Sequence, residues 1–296
     1  MRRVVRGITD MTRSLEGKVV LVTGASSGIG EAIALEVAAQ KAKVVLAARR
    51  EGVLNTVADL VSKRGGTPLV VPTDMTDSQQ VETLAAKAID AFGAVDVLVN
   101  NAGYGQMGPI EEVNEAAVRQ QFDVNVFGLL TLTRAVVPGM RDRREGRIIN
   151  LSSVAGRISM PFMGIYNASK FAVEALSDAL RVELAPFGIQ TIVIQPGPVE
   201  TEFFRIAEQE AAAAVDLETS PYAEALERMA ETMDTSSMAW TAERTAKLIV
   251  KAMTEDNPSD RYAAFNGGKM MLGLFESIPT GLSDRLYANA FGLDRL

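Results

Sequence analysis

Short apolar runs alternate with longer amphipathic stretches over most of this chain. The runs are rich in valine, leucine and isoleucine and are apolar throughout, which is typical of parallel strands buried on both faces. They predict strands at 18–22, 43–47, 69–71, 95–99, 147–151, 190–195 and 261–265. The stretches between them repeat apolar residues at helical spacing. They predict helices at 28–40, around 54–61, and at 78–92, 115–140, 162–187, 200–233 and 241–253, with Ser78 as an N-cap.

Repeated strand–helix units predict the fold class, because a helix that connects two parallel strands crosses over one face of their sheet. We therefore expect an α/β fold: a single doubly wound domain with a mainly parallel seven-stranded sheet and helices on both faces. No internal repeat and no linker divides the chain. The predicted boundaries are an N-terminal extension at 1–14, the folded domain at 15–265 and a C-terminal extension at 266–296.

Composition excludes several classes of function. The 296 residues include no cysteine and no histidine, which excludes a disulfide framework, a thiol nucleophile, a Ser-His-Asp triad and the usual zinc motifs. No metal site is therefore expected. The net charge of −7 argues against a nucleic-acid partner, because a protein that binds phosphates needs a basic face.

The N-terminal segment and the apolar runs bear on localisation. Residues 1–14 are basic but contain no apolar stretch of the kind that a secretory signal needs. The chain has no run of about 18 or more uninterrupted apolar residues, so no spanning helix is expected. We expect a cytoplasmic protein without membrane contact.

A glycine-rich loop, TGASSGIG at 23–30, lies between the first predicted strand and the first predicted helix. Gly24 allows a sharp turn, and Gly28 and Gly30 allow a phosphate to approach the backbone at the helix N-terminus. The loop lacks the Gly-Lys-Ser/Thr ending of a P-loop, which disfavours nucleoside triphosphate hydrolysis. Its place in a strand–helix–strand unit favours dinucleotide binding. The alternative is a tight turn that binds no ligand.

The end of the second predicted strand bears on the choice between NAD(H) and NADP(H). An acidic residue there binds a free ribose 2′-hydroxyl, whereas an arginine suits a 2′-phosphate. The sequence reads Ala48-Arg49-Arg50. We therefore expect Arg49 to bind the phosphate and NADP(H) to be favoured over NAD(H). The alternative is a solvated arginine pair at a helix start.

A tyrosine and a lysine one helical turn apart predict acid–base chemistry in a chain without histidine. They are Tyr166 and Lys170 in the run YNASK, and Ser153 lies thirteen residues before the tyrosine. Residues at i and i+4 share a helix face. A neighbouring ammonium favours the phenolate and lowers the tyrosine's pKa from its ordinary value near ~10. Without further context, such a pair is a surface contact.

These features together resemble the short-chain dehydrogenase/reductase family, and the stretch 153–204 is most similar to its branch of hydroxysteroid and retinol dehydrogenases. The resemblance covers about residues 15–265. The motifs that carry it are TGASSGIG at 23–30, Asp74, NNAG at 100–103, Asn125, Ser153, YNASK at 166–170 and PGPVET at 196–201. It implies a Rossmann-type catalytic domain that interconverts a ketone or aldehyde and an alcohol by hydride transfer.

The resemblance also implies roles for individual residues. Tyr166 would be the general acid or base, Lys170 would lower its pKa and bind the nicotinamide ribose, and Ser153 would hold the substrate oxygen. Asn125 would support a water that relays protons, a role compatible with its being a polar group of the core. Besides Tyr166 and Lys170, the expected cofactor-binding residues are Gly24, Ser26, Ser27, Gly28, Ile29, Gly30, Arg49, Asp74, Asn101, Ala102, Gly103, Pro196, Gly197, Val199 and Thr201.

Aromatic and methionine residues follow the loops at the sheet's carboxyl edge and predict an apolar, adaptable substrate pocket. The expected lining is Tyr104, Met160, Met163, Phe203 and Phe204, with Gln106, Met107, Ile158 and Phe162 nearby. We expect a lipophilic alcohol or ketone, such as a steroid, a retinoid or a long-chain ketone. Arg157 lies close enough to Ser153 to bind a carboxylate, so a keto-acid or acyl-carrier substrate is the alternative. A further alternative is that these residues only pack a lid.

Two predicted helices carry more apolar residues than the core can bury, which predicts that the protein forms an oligomer. The helices at 115–138 and 163–187 have more apolar positions than one sheet face can cover, which marks an interface. With the resemblance, this predicts a homodimer or homotetramer. The apolar cluster at 270–275 is expected to close over the substrate or to pack in the oligomer.

Two other classes of function stay open. A sugar-nucleotide epimerase or dehydratase on the same scaffold is disfavoured by TGASSGIG and by the modest C-terminal portion. A non-catalytic NADP(H)-binding module is disfavoured by the presence of both Tyr166 and Lys170.

Overall fold

The computed structural model describes residues 13–216, 219–232 and 239–295. Most of the predicted N-terminal extension therefore lies outside the described residues. The strands are β1 (Val19–Thr23), β2 (Lys43–Ala48), β3 (Thr67–Pro72), β4 (Val97–Asn100), β5 (Gly146–Leu151), β6 (Ile189–Pro196), β7 (Val199–Glu200), β8 (Trp240–Thr241) and β9 (Arg261–Ala264). The helices are α1 (Gly28–Ala38), α2 (Glu51–Lys63), α3 (Ser78–Phe92), α4 (Glu115–Phe122), α5 (Leu129–Arg143), α6 (Gly164–Leu184), α7 (Phe203–Ala214), α8 (Ala223–Thr232), α9 (Ala242–Thr254), α10 (Gly268–Glu276) and α11 (Thr280–Phe291).

Seven strands form one parallel sheet in the order β3-β2-β1-β4-β5-β6-β9. β7 and β8 pair separately. The strand order reverses between β1 and β4, where Val20 pairs with Val97. In open parallel sheets, ligands bind at the carboxyl ends of the strands beside such a reversal. The predicted doubly wound fold is confirmed.

The sheet separates two apolar layers because successive side chains of a strand point to opposite faces. Val20 and Val22 pack with Ile33 of α1 and Ile249 of α9. Leu21 lies between them in sequence and packs on the other face with Leu84 of α3 and Leu132 of α5. Both layers are built from residues with almost no exposed surface. They fix the loops at the carboxyl edge of the sheet in place.

The predicted helix 115–140 is three segments. α4 and α5 flank a π-helical segment, Asp123–Gly128, whose wider turn contains Asn125. The Asn125 amide nitrogen donates to the Tyr104 carbonyl at 3.1 Å and to the Ser169 hydroxyl at 3.0 Å. These contacts lie far apart in sequence, so apolar periodicity gives no sign of them. Short π segments are often found at functional sites.

Three other predicted helix boundaries are wrong. The stretch 200–233 is broken after Ala214, because Val215 is extended and buried and Pro221 lies just before α8; Met233 itself lies outside the described residues. The N-cap of α3 is Asp77, whose carboxylate accepts hydrogen bonds from the Gln79 and Gln80 amides. α6 begins at Gly164 and not at 162, because Phe162 has a φ of 63°.

The C-terminal residues form two helices, α10 and α11. In α10 only Leu272 is buried, and Met270 and Leu274 are exposed. In α11, Tyr287 and Phe291 pack against the buried cluster that contains Phe162, Met163 and Tyr166. The tail therefore reaches the cluster through α11, whereas the sequence pointed to the apolar residues of α10. Among the described helices, none is long and apolar enough to span a bilayer.

Candidate active site

A cavity of about 720 Å³ opens at the carboxyl edge of the sheet. The loops that follow β1 to β6 form its walls, together with α6 and α7. Of the residues predicted to be catalytic, to bind the cofactor or to line the substrate pocket, all but Gly30 and Asn125 line this cavity. The structure thus brings one set of motifs from the whole length of the domain into one place.

The glycine loop after β1 leaves no room for side chains at its key positions. Gly24 and Gly28 have φ values of 66° and 58°, which L residues rarely adopt. A Cβ on Gly30 would lie 2.2 Å from the Gly24 carbonyl oxygen, and one on Gly28 would lie 2.9 Å from the Thr201 methyl carbon. Glycine at these positions allows the turn and the close contact between loop and helix.

The N-terminus of α1 fits a phosphate. Ser27 is its N-cap residue but its side chain makes no capping hydrogen bond. The first backbone N–H groups of a helix have no partner within the helix, and an anion binds well there. Ser27, Gly28 and Ile29 line the cavity at this point. The residues present therefore fit the pyrophosphate of a dinucleotide.

Asn101 holds the glycine loop from the neighbouring strand. Its side-chain nitrogen donates to the Thr23 carbonyl at 2.8 Å, and its backbone N–H donates to the Thr23 hydroxyl at 3.0 Å. The Ala102 N–H donates to the same hydroxyl at 3.0 Å. The side chain of Asn101 thus supports the loop, and its backbone faces the cavity with Ala102 and Gly103.

Two arginines follow β2 and have different contacts. Arg49 is exposed and lines the cavity, next to Ala48 at the end of the strand. Arg50 donates to the Ser26 hydroxyl at 3.2 Å and to the Ser27 hydroxyl at 3.3 Å. Arg50 also lies 3.9 Å from the carboxylate of Glu202. The sequence analysis missed this contact of Arg50 with both the glycine loop and the N-cap residue of α7.

Asp74 lies on the same side of the cavity, after β3. One carboxylate oxygen accepts hydrogen bonds from the Thr76 amide and the Thr76 hydroxyl, both at 2.9 Å. These bonds fix the carboxylate at the cavity wall. A fixed acceptor at this place suits an amino group at the adenine end of a dinucleotide.

Ser153 and Tyr166 meet at the inner end of the cavity. The Tyr166 hydroxyl is hydrogen-bonded to Ser153, and the ring is 5% exposed. The Ser153 oxygen also accepts a bond from the Ala155 amide at 3.1 Å, which fixes its position after β5. Burial raises the pKa of Tyr166 to about 12, and the bond to Ser153 opposes this rise. Burial therefore favours the protonated form of the Tyr166 phenol.

Lys170 lies one helical turn further along α6 and is 5% exposed. Its Nζ atom donates to the Leu151 carbonyl at 2.8 Å and lies 5.8 Å from the centre of the Tyr166 ring. Burial lowers the pKa of Lys170 to about 8, and the charge of Glu174 opposes this fall. The sequence predicted that Lys170 lowers the pKa of Tyr166. In the structure the pKa of Tyr166 is raised instead, because the phenol is buried.

Asn125 lies behind the cavity wall. Besides donating to Tyr104 and Ser169, it accepts a bond from the Tyr104 N–H at 3.2 Å through its side-chain oxygen. Its amide thus joins the loop after β4 to α6. The role of Asn125 in a proton relay stays a prediction.

The part of the cavity next to Tyr166 is largely apolar. Tyr166 and Phe203 have ring centres 5.5 Å apart, and Phe203 contacts Phe204 edge to face at 5.6 Å. Met160, Met163 and Tyr104 complete the predicted wall. Phe162 and Met107 are buried in the adjacent cluster and do not line the cavity, nor do Gln106 and Ile158. Ile206 and Glu210 line it and were missed, although their spacing from Phe203 along α7 places them on one helix face.

Comparison with known proteins identifies the family. The sequence model of the family described as short chain dehydrogenase matches residues 18–212. The chain therefore belongs to the short-chain dehydrogenase family, a family of oxidoreductases, as its motifs predicted.

Individual relatives agree with this assignment. A "Dehydrogenase/reductase SDR family protein 7-like" of Anopheles gambiae is 40% identical over 64% of this chain and 61% of its own length. A "3-ketodihydrosphingosine reductase" of Bacteroides thetaiotaomicron is 37% identical over 64% of this chain and 66% of its own length. The chain thus matches about two thirds or less of the length of these relatives.

Two solved structures resemble the chain over a larger part of its length. A short-chain dehydrogenase from Streptomyces avermitilis has a TM-score of 0.75 and 34% identity, over 94% of this chain and 96% of that one. A short-chain dehydrogenase/reductase from Burkholderia phymatum, solved in complex with NAD, has a TM-score of 0.73 and 33% identity, over 81% and 86% of the two chains.

Proposed function

We propose that this protein is an NADP(H)-dependent oxidoreductase that interconverts a lipophilic ketone or aldehyde and the corresponding alcohol. The observation that carries the proposal is the group of Ser153, Tyr166 and Lys170, the last two buried, in the same cavity as the glycine loop. Acid–base residues and a phosphate-binding helix N-terminus in one cavity suit hydride transfer from a dinucleotide to a carbonyl group.

The residues of the chain act on protons and on the substrate oxygen. In carbonyl reduction, Tyr166 is protonated and donates its proton to the carbonyl oxygen, which the Ser153 hydroxyl holds in place. The resulting phenolate is stabilised by the ammonium of Lys170. In alcohol oxidation the same proton returns to Tyr166. The nicotinamide cofactor, when bound, supplies or accepts the hydride.

The residues that would hold this cofactor come from three loops and from α6. Ser27, Gly28 and Ile29 would bind the pyrophosphate, Asp74 the adenine end, and Thr201 the carboxamide end. Lys170 would bind the nicotinamide ribose. These assignments follow the family resemblance, and the cavity lining supports them.

Arg49 supports the choice of NADP(H). It is an exposed cation at the cavity wall directly after Ala48, where an acid would serve a free 2′-hydroxyl. Arg50 is held by the serines of the glycine loop and adds positive charge at the same end. The Burkholderia phymatum relative was solved with NAD, so the choice rests on these residues of the present chain.

The apolar wall supports a lipophilic substrate. Met160, Met163, Phe203 and Phe204 face the part of the cavity next to Tyr166. Arg157, which could have bound an acidic substrate, is paired with Glu276 of α10 at 2.5 Å and does not line this cavity. A relative named for a 3-ketodihydrosphingosine substrate is similar over 64% of the chain. Together these observations favour a lipophilic carbonyl compound over a keto acid.

Initial rates of NADPH and NADH oxidation with a panel of ketones test this proposal. The panel contains a steroid ketone, retinal, a long-chain methyl ketone and, as the acidic alternative, a β-keto acid and an acyl thioester. We expect turnover of at least one lipophilic compound and a preference for NADPH. Turnover of the acidic compounds alone would support the keto-acid alternative. Binding of NADPH without any turnover would support a non-catalytic binding module.

Exposed apolar residues on α6 and in the π-helical segment support a homo-oligomer. Phe127, Phe171 and Val182 are 55%, 43% and 66% exposed. Light scattering on the purified protein tests this assembly, and Phe171→Glu is expected to weaken it. A monomer at micromolar concentration would contradict the proposed homo-oligomer.

A further inference from the structure

Glu174 is a buried carboxylate that the proposed chemistry does not use. It lies one helical turn after Lys170 on α6 and is 6% exposed. Burying a carboxylate is costly unless other groups compensate its charge. Tyr166, Lys170 and Glu174 follow one another at intervals of four residues, so they share one face of α6.

Both oxygens of Glu174 have partners on the sheet. Gln195 of β6 donates to Oε1 at 2.9 Å, and Arg261 of β9 donates to Oε2 at 2.9 Å. Arg261 also contacts Asp178, the next residue along the same face of α6, at 2.7 Å. The Glu174 side chain is therefore held in one orientation, and Arg261 keeps a second carboxylate partner if Glu174 is replaced.

The charged groups around Glu174 come from four parts of the structure. A second cavity, of about 550 Å³, is lined in part by Gln195 and Arg261. On α6 the titratable neighbours are Tyr166, Lys170 and Asp178, and on the sheet they are Arg261 of β9 and Asp260 just before it. The wall of the second cavity adds Arg157, Lys269 and Glu276. Arg157 and Glu276 pair with each other. Glu174 is thus a buried carboxylate that is bonded to Arg261 and lies one helical turn from Lys170.

We propose that Glu174 is a positioning residue for Lys170: its carboxylate keeps the buried ammonium charged, and Arg261 sets how strongly it does so. The inference rests on the proposed function, in which the Lys170 charge stabilises the Tyr166 phenolate. The charge of Glu174 acts against the fall that burial causes in the pKa of Lys170. The cation of Arg261 weakens this effect of Glu174 on Lys170, because it is paired with the same carboxylate and partly compensates its charge.

The pH dependence of carbonyl reduction tests this proposal in three variants. In Glu174→Gln, the pH at which activity is half lost on the alkaline side is expected to fall by about one pH unit, the effect of removing a nearby opposite charge. In Arg261→Gln, the same midpoint is expected to rise, because Glu174 keeps its charge and loses the competing cation. Asp178→Asn is the matched control: it removes a carboxylate from the same arginine, one turn further from Lys170, and is expected to move the midpoint much less than Glu174→Gln does.

A purely structural role predicts a different result. Loss of packing would lower kcat in Glu174→Gln and Arg261→Gln alike without moving their midpoints in opposite directions. An unchanged midpoint in a folded Glu174→Gln variant, or a fall in both variants, would overturn the proposal.

A readout without turnover separates this inference from the proposed function. In the cofactor-free full chain, NMR of ¹⁵N-labelled lysine gives the pKa of the Lys170 ammonium, with its signal assigned by its loss in Lys170→Arg. We expect a lower pKa in Glu174→Gln than in the unmodified protein. If the protein shows no oxidoreductase activity, the proposed function fails while this titration still decides the role of Glu174. An unchanged pKa would contradict that role.

Discussion

The Lys170 ammonium donates a hydrogen bond to the Leu151 carbonyl oxygen at 2.8 Å, which ties α6 to the carboxyl end of β5. The bond places the lysine beside the Tyr166 ring, with 5.8 Å between Nζ and the ring centre. Ser153 lies two residues after Leu151, so the same strand end positions both the lysine and the serine. The backbone of β5 thus aligns the residues that the proposed chemistry needs.

Replacing the buried lysine is expected to change how stability depends on pH. Burial lowers the pKa of Lys170 from 10.5 to about 8. Between these values the unfolded chain binds more protons than the folded one, so this group makes stability rise with pH there. Lys170→Met removes that dependence. Its unfolding free energy relative to the unmodified protein should be highest below pH 8 and should fall by on the order of 3 kcal/mol as the pH rises through this window. Urea unfolding across the window measures this, and parallel curves would contradict it.

Two adjacent serines offer a matched pair of substitutions. Ser153→Ala removes the hydroxyl bonded to Tyr166 and is expected to lower kcat/KM by about 10–100-fold, the loss of a hydrogen bond to a reacting group. The Ser152 hydroxyl is buried and has no hydrogen-bond partner among the described residues. Removing it in Ser152→Ala should leave kcat/KM within a few-fold and should not lower the melting temperature. Steady-state kinetics and thermal unfolding compare the two. Equal losses of activity would refute the assignment.

Arg49 is expected to decide cofactor preference. Arg49→Ala removes the exposed cation at the end of β2 and should weaken NADPH binding by about 10–100-fold, as expected for a lost charge-assisted bond. NADH binding should change little, because NADH has no 2′-phosphate, and it serves as the internal control. Titration calorimetry with both cofactors measures the effect. A parallel loss for NADH and NADPH would show that Arg49 does not bind the 2′-phosphate.

The glycine loop should not tolerate even a methyl group at one position. In Gly30→Ala the new Cβ would lie 2.2 Å from the Gly24 carbonyl oxygen and 2.6 Å from the Asn101 amide nitrogen. We expect a loss of about 1–3 kcal/mol in unfolding free energy, the usual range for overpacking, and weaker cofactor binding. Gly281→Ala in α11 is the control, because nothing lies within 4 Å of its Cβ position. That variant should be as stable as the unmodified protein or more so. Equal stability of both variants would contradict this account of the loop.

Sequence reasoning predicted the sheet well because strands buried on both faces give continuous apolar runs. The order of strands and helices along the chain then defines the topology through the crossover rule. The same reasoning failed at the π-helical segment, where the amide of Asn125 bonds to Tyr104 and Ser169. Side-chain contacts between distant segments leave no trace in the periodicity of either.

The site was predicted in part for a similar reason. The residues of short motifs, such as Gly24 or Tyr166, could be named from the sequence because their spacing is local. Glu174 and Arg50 were missed as participants, because their partners Arg261 and Glu202 lie 87 and about 150 positions away. The role of α11 was missed as well, because Phe291 packs against residues such as Phe162 that lie more than a hundred positions earlier in the chain.

Tyr166→Phe tests the central claim most directly. The variant keeps the ring and its contact with Phe203 but loses the hydroxyl that is bonded to Ser153. Tyr262→Phe, which loses a hydroxyl bonded to Glu255 away from the cavity, is the matched control. With saturating NADPH and a ketone that the unmodified protein reduces, we expect kcat to fall by about 10²–10⁴-fold in Tyr166→Phe, with NADPH affinity and melting temperature retained. Tyr262→Phe should remain active. Undiminished kcat in a folded Tyr166→Phe variant would contradict the assignment of Tyr166 as the general acid.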